Sequence, residues 1–175
     1  IECAPHLKEE HLPVFDCSFK AANGSRSIHH MGHLKMMAAA LLTAEPVTLT
    51  NVPAISDVRA MVRIMEKLGT KIVYNEARGI MRLHTPKIKT TAIDPADARQ
   101  LRASNVFLGP LLARAGRVTS VMPGGDKIGP REMNAHFDGL AQLGADVQFR
   151  SSGDFSLRGR LQGAPVFLYE PSVTA

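Results

Sequence analysis

The sequence predicts an α/β protein in which strands alternate with helices, with parallel pairing and hairpins mixed in one domain. Two observations lead to this prediction. A block beginning at Val47 recurs, with a longer loop, as a block beginning at Val118. In both blocks a β-branched run ends at a proline and is followed by a helical pattern that ends in Leu-Gly. Such repetition indicates a fold assembled from copies of one supersecondary unit.

The first copy is predicted to open with a strand, to continue with an apolar helix over residues 34–43, and to reach a second strand at Val47. Apolar residues at helical spacing then predict a second helix, with Val58, Met61, Val62, Met65 and Leu68 on one face. Ser56 or Asp57 is expected to cap its start, and Gly69 to end it. A strand, a polar turn and another strand complete the copy, which spans about residues 25–90.

The second copy spans about residues 95–160 and repeats the same order. A helix is predicted over residues 104–115, a strand follows at Val118, and a second helix carries Met133, Phe137, Leu140 and Ala141 on its apolar face. Pro130 suits the first turn of that helix and Gly144 its end. The copy is five residues longer because of an insertion in "PGGDKIGP", residues 123–130, which we call the glycine loop.

The composition, 45% hydrophobic and 21% charged over 175 residues, is that of an ordinary globular protein. No apolar run reaches the roughly 18 residues of a membrane helix, and no signal peptide or membrane association is predicted. The formal charge of +5 is dispersed and aromatic residues are 5%, so a nucleic-acid surface is not predicted.

Cys3 and Cys17 lack metal-ligand spacing, which favours a reduced, cytoplasmic location. A cluster of His29, His30 and His33 lacks a completing carboxylate or cysteine, so no metal is expected.

Four stretches carry a resemblance to the enolpyruvyl transferase family, and within it to the branch that acts on UDP-N-acetylglucosamine. They are "PVTLTNVPAISDVRAM", "LRASNVFLGPLLARAG", "MPGGDKIGPREMNAHFDGLAQLGA" and "GRLQGAPVFLYEPSV", in the family's order. The resemblance implies an inside-out α/β domain built from βαβαββ units, present here incompletely. Residues 1–33 are a divergent segment without a match, residues 34–160 hold two units, and residues 161–175 begin a third.

The resemblance also implies a reaction. The family transfers the enolpyruvyl group of phosphoenolpyruvate to the 3-hydroxyl of UDP-N-acetylglucosamine, the first committed step of peptidoglycan synthesis, without a metal or organic cofactor. The reaction requires a general acid for the methylene carbon, a base for the sugar hydroxyl and cations for the carboxylate and phosphate. The family site lies between two domains. A chain without the second domain is therefore expected to be inactive, and to be poorly stable or self-associating because apolar helix faces are left uncovered.

Asp126 stands in the glycine loop where the family usually has a cysteine. A carboxyl group can donate the same proton when burial raises its pKa, so Asp126 is the predicted catalytic acid. Because a carboxylate is a poorer nucleophile than a thiolate, resistance to the epoxide fosfomycin is expected. Arg131, five residues further on, matches the family arginine that contacts phosphoenolpyruvate.

The remaining predicted substrate contacts also come from the resemblance. Arg102 in "LRASNV" matches an arginine that reaches the nucleotide sugar. The uridine-binding stretch corresponds to Glu132, Met133, Asn134 and Ala135, and a second nucleotide-contact stretch to Ser172 and Val173. Where the family has a Lys-Asn pair, this sequence has His30 and Met31; His30 is ionisable, but Met31 cannot replace an amide.

Two alternatives remain open at this point. One is 5-enolpyruvylshikimate-3-phosphate synthase, which shares the fold but does not account for "GPREMNAHFDGLAQLGA". The other is a non-catalytic remnant, for which the missing Lys-Asn pair and the missing second domain are the discriminating features.

Overall fold

The computed structural model of the protein describes residues 14–16, 19–20, 26–27, 30–124 and 133–168. The chain divides into two compact units, residues 1–89 (unit 1) and residues 90–175 (unit 2). Each unit combines helices with a small sheet, which confirms the predicted α/β class.

Unit 1 contains a four-stranded sheet and two helices. Its elements are β1 (Val14–Asp16), β2 (Phe19–Lys20), β3 (Arg26–Ser27), α1 (His30–Ala39), β4 (Val47–Thr50), α2 (Ser56–Leu68), β5 (Lys71–Asn75) and β6 (Ile80–His84), with a 3₁₀ turn at Ala40–Leu42. The sheet order is β1-β4-β6-β5, and β2 pairs with β3 separately. β1 lies parallel to β4 and the other pairs are antiparallel, so the predicted mixture of parallel strands and hairpins is confirmed.

The core of unit 1 lies between the helices and one face of the sheet. The fully buried large side chains here come from both helices, the 3₁₀ turn, β4 and β6: Leu34, Met37, Leu41, Leu49, Met61, Ile64, Met65, Leu68, Met81 and Leu83. Buried and non-buried residues alternate along β4 and β6, as expected when one face of a sheet packs on helices. The opposite face is solvated and includes Val73 and Arg82.

The predicted limits of α2 are right at its end and wrong at its start. Gly69 caps the helix with φ 110°, and an added Cβ there would lie 2.9 Å from the Lys87 carbonyl oxygen. At the start, the cap residue is Ile55, and Ser56 is already helical. The Ser56 hydroxyl donates to the Asp57 carboxylate at 3.3 Å, so it does not serve as the cap that the sequence suggested.

Tyr74 gives the first testable prediction. Its hydroxyl donates to the Val52 carbonyl at 3.1 Å and ties β5 to the loop after β4. Tyr74→Phe is expected to lower the free energy of unfolding by about 1 kcal/mol in urea denaturation at neutral pH. An unchanged unfolding midpoint would contradict this contribution.

The same variant has a pH signature. Burial, and then the charge of Glu76, raise the pKa of Tyr74. A raised pKa means that the stabilisation is complete below the ordinary tyrosine pKa of about 10 and is lost as pH rises through the folded-state value. The difference in stability between the wild-type chain and Tyr74→Phe should therefore shrink above that pH.

Unit 2 repeats the helix–strand–helix–hairpin order. Its elements are α3 (Pro95–Gln100), a 3₁₀ helix (Arg102–Phe107), α4 (Leu108–Ala115), β7 (Arg117–Val121), α5 (Asn134–Gln142), β8 (Asp146–Phe149) and β9 (Asp154–Arg158). The three strands are antiparallel in the order β7-β9-β8, and a parallel bridge joins Ala92 to Thr119 of β7. None of the described helices has the length and apolarity that a membrane crossing requires.

Three details of unit 2 differ from the prediction. The single helix expected over residues 104–115 is a 3₁₀ helix followed by α4. α3 was not predicted, although Asp94 followed by Pro95 is a helix-start signal: the Asp94 carboxylate accepts from two main-chain N–H groups. α5 begins at Asn134, and Pro130, which was expected in its first turn, lies outside the described residues. Ala141 is exposed instead of buried because the helix packs mainly through Phe137.

α5 is fixed by ring contacts to the β8–β9 hairpin and by hydrogen bonds to the segment that follows β9. Phe137 packs edge-on against Phe149 and Phe155, with ring centroids 5.1 and 4.9 Å away. The Gln142 side-chain amide donates to the Phe167 carbonyl at 2.8 Å and accepts from the Phe167 N–H at 2.7 Å. These contacts fix the helix whose first turn carries part of the predicted site.

Candidate active site

The structure places four of the predicted substrate contacts in unit 2. They are Arg102, Met133, Asn134 and Ala135. His30 is the first residue of α1 in unit 1. Five predicted site residues lie outside the described residues: Asp126, Arg131, Glu132, Ser172 and Val173.

Arg102 is positioned by the junction between α3 and the 3₁₀ helix. Leu101 adopts an extended conformation between the two helices, and Arg102 then opens the 3₁₀ helix with its side chain half-buried. The Ser104 hydroxyl donates to the Ala98 carbonyl at 3.2 Å, which holds this first turn against α3. This contact fixes the main chain that carries Arg102, and a guanidinium group offers a planar fork of donors to an anion.

The stem of the glycine loop, residues 123–124, is hydrogen-bonded to α3. The Gly124 N–H donates to the Ala98 carbonyl at 3.1 Å, so one oxygen accepts from both the loop stem and Ser104. An added Cβ on Gly124 would lie 1.6 Å from the Arg99 carbonyl oxygen. Only glycine can therefore occupy this position, and the loop leaves β7 beside the segment that carries Arg102.

The first turn of α5 provides the third part of the site. The Met133 carbonyl accepts from the His136 and Phe137 N–H groups at 3.0 and 3.1 Å and starts the helix. Met133 is 1% exposed, so the residue as a whole is buried at the start of the helix. Asn134 is exposed and Ala135 half-buried. The positive end of the helix dipole lies here, which favours a negatively charged ligand.

A side-chain contact that the sequence did not indicate joins two of these segments. Asn105 Nδ2 lies 3.2 Å from His136 Nε2, linking the 3₁₀ helix to the first turn of α5. The two residues are 31 positions apart and no shared periodicity relates them. The only signal was that both lie within stretches that resemble the family's binding segments.

His33 belongs to the core of unit 1 and not to an exposed cluster. It is 0% exposed in α1 between apolar neighbours, although the sequence grouped it with His29 and His30 as a weak metal candidate. Within the part of the chain that the structure describes, no three His, Cys, Asp or Glu side chains form a group that could hold a metal ion.

Two solved structures share this architecture. The enolpyruvyl transferase NikO from Streptomyces tendae superposes with a TM-score of 0.64 at 18% identity, covering 85% of this chain and 30% of that protein. EPSP synthase from Acinetobacter baumannii superposes with a TM-score of 0.52 at 17% identity, covering 77% of this chain and 30% of that protein. At these identities the likeness concerns the fold, which is that of the enolpyruvyl transferases.

The sequence comparison is more specific. The chain belongs to the EPSP synthase (3-phosphoshikimate 1-carboxyvinyltransferase) family, which it matches over residues 21–175. The predicted resemblance to enolpyruvyl transferases is thereby confirmed.

Curated relatives named UDP-N-acetylglucosamine 1-carboxyvinyltransferase match over 142 residues, or 81% of this chain. The protein from Bradyrhizobium diazoefficiens is 44% identical, that from Treponema pallidum 44%, and that from Treponema denticola 42%. The chain spans about a third of the length of these relatives, 32% of the first and 33% of the other two.

Proposed function

We propose that the chain supplies the glycine-loop side of an active site that transfers the enolpyruvyl group of phosphoenolpyruvate to the 3-hydroxyl of UDP-N-acetylglucosamine. The supporting geometric observation is the convergence of three segments in unit 2. Ala98 accepts from both the loop stem and the Arg102 segment, and Asn105 reaches the first turn of α5. A proton donor, an anion-binding guanidinium and a helix N-terminus would then serve one ligand.

In this proposal Asp126 donates a proton to the methylene carbon of phosphoenolpyruvate. The adjacent carbon becomes electron-poor and accepts the sugar hydroxyl oxygen, while a base removes the hydroxyl proton. Loss of phosphate and of a proton from the methyl carbon then restores the double bond in the product. Arg131 and Arg102 neutralise the negative charge of the substrates, and the α5 N-terminus faces the uridine part.

The proposal places the protein in peptidoglycan synthesis and in the cytoplasm, where a nucleotide-sugar acceptor would be available. It uses no metal or organic cofactor. The names and identities of the curated relatives support UDP-N-acetylglucosamine as the acceptor. The family description and the Acinetobacter baumannii structure favour a second candidate acceptor, 3-phosphoshikimate.

The test is phosphate release from phosphoenolpyruvate with each acceptor in turn. Two proteins are assayed: the 175-residue chain, and a chimera in which the 142 matching residues of the chain replace their counterparts in the Bradyrhizobium diazoefficiens relative. We expect the chimera to release phosphate with UDP-N-acetylglucosamine and not with 3-phosphoshikimate. Release with 3-phosphoshikimate alone would establish the second candidate. A folded chimera that is inactive with both acceptors would indicate a non-catalytic remnant.

Arg102 gives a separate prediction in the same assay. Arg102→Lys keeps the positive charge but loses the forked donors, so the KM for UDP-N-acetylglucosamine should rise about ten-fold. Arg99→Lys is the matched control, since Arg99 is an exposed residue of α3 three positions earlier. An unchanged KM in Arg102→Lys would mean that Arg102 acts only through its charge, and an equal rise in both variants would mean that the effect is not specific to Arg102.

A further inference from the structure

We propose that Asn105 is a positioning residue that holds His136 in its neutral tautomer with the proton on Nδ1. The inference begins with donor chemistry. The carboxamide nitrogen of asparagine can only donate a hydrogen bond, and Asn105 Nδ2 lies 3.2 Å from His136 Nε2. His136 Nε2 must therefore accept, which requires that it carries no proton and that the ring proton is on Nδ1.

The contact also disfavours two other states of the ring. The opposite tautomer, with the proton on Nε2, would direct one N–H group at another. The imidazolium cation carries protons on both nitrogens and has no lone pair to offer. Asn105 thus favours one of the three states that a histidine side chain can adopt. Its hydrogen bond must offset the cost of a proton on Nδ1, which is buried with no hydrogen-bond acceptor among the described residues.

The position of the pair gives this selection a consequence for binding. Asn105 lies in the 3₁₀ helix that begins with Arg102, and His136 lies in the first turn of α5 beside Asn134 and Ala135. The contact is therefore a side-chain link between the two described segments that were predicted to bind UDP-N-acetylglucosamine. Losing it frees the first turn of α5 to shift relative to Arg102, which weakens ground-state binding of a ligand that touches both segments.

Two substitutions separate the tautomer from simple packing. Asn105→Asp preserves the size of the side chain but replaces the donor with a carboxylate, which can only accept, and so favours the proton on Nε2. Asn105→Leu preserves approximate shape and removes both functions. The readout is ¹⁵N NMR of the histidine ring nitrogens in the 175-residue chain, where a protonated and an unprotonated ring nitrogen have well separated shifts. His84, in unit 1, serves as the internal reference.

We expect His136 in the wild-type chain to show an unprotonated Nε2. Asn105→Asp should place a proton on Nε2, because a carboxylate accepts from that nitrogen in both the Nε2 tautomer and the imidazolium cation. Asn105→Leu should give a mixture of tautomers, and His84 should stay unchanged in both variants. A wild-type ring with the proton on Nε2 would overturn the assignment, because it would mean that the Asn105 carbonyl oxygen faces the ring. A tautomer that does not respond to Asn105→Asp would also overturn it.

The binding consequence rests on the proposed function and is tested in the chimera. Asn105→Leu should raise the KM for UDP-N-acetylglucosamine about five-fold, the loss of one net hydrogen bond, and leave kcat unchanged. A fall in kcat with KM unchanged, or no change in either, would refute the positioning role. An unsubstituted chimera without any turnover would count against the proposed function, and the NMR measurement would still decide the tautomer.

Discussion

Asp126→Asn is expected to lower turnover of the chimera by about 10²–10⁴-fold, the usual contribution of a general acid. Asparagine has the same shape as aspartate but cannot donate a proton to carbon. The measurement is kcat for phosphate release, with the KM for each substrate determined alongside, since a loss in kcat without a matching change in KM identifies a group used in the transition state. Unaltered turnover would show that the proton comes from another residue.

Asp126→Cys is the companion variant, because a thiol can also donate the proton. This variant should retain turnover and become sensitive to fosfomycin, whose epoxide is opened by a thiolate and not by an unactivated carboxylate. Inactivation is followed over time in the aspartate and cysteine forms. Equally rapid inactivation of both forms would mean that Asp126 does not occupy the reactive position.

Gly124→Ala is the second variant with a large expected effect. A methyl group at this position would lie 1.6 Å from the Arg99 carbonyl oxygen, a main-chain atom that cannot rotate away. The loop stem must therefore shift by more than 1 Å and abandon its hydrogen bond to Ala98. A misplacement of this size near a catalytic group typically costs about 100-fold in rate, and we expect turnover of the chimera to fall by about that factor.

Gly109→Ala is the control for this prediction. Gly109 lies in α4, and an added Cβ there meets no atom within 4 Å apart from its chain neighbours and the helix's own main chain. The substitution should leave turnover unchanged, because the added methyl group does not contact the loop stem. Equal turnover in the two alanine variants would show that the loop tolerates movement of its stem.

The elements best predicted from sequence are those in which the apolar positions of the helical repeat are also the buried positions in the fold. α2 shows this: four of its five predicted apolar residues are buried, with only Val62 half-buried, and Gly69 ends it in the left-handed conformation. α5 shows the limit, since its burial is dominated by Phe137 within an aromatic group formed with β8 and β9. Which side of a short helix is covered depends on partners that a single helical repeat does not specify.

The site was predicted unevenly for a similar reason. Arg102 and the α5 segment could be located because they lie in continuous motifs that resemble a family. The Asn105–His136 contact and the shared Ala98 carbonyl join residues that are distant in sequence. No motif or periodicity in the sequence marks the residues that form these contacts. α3 was missed for a different reason: it has only six residues, too few for a helical repeat, although Asp94 and Pro95 indicated its start.

The shared Ala98 carbonyl has a consequence for local opening of unit 2. Because one oxygen accepts from the Gly124 main chain and from Ser104, detaching the loop stem also changes the environment of the turn that carries Arg102. The two segments should then behave as one cooperative opening unit instead of two independently fraying loops. Slow exchange of the Gly124 amide hydrogen with solvent would report on both, so protection of the loop stem and of the turn that carries Arg102 should change together.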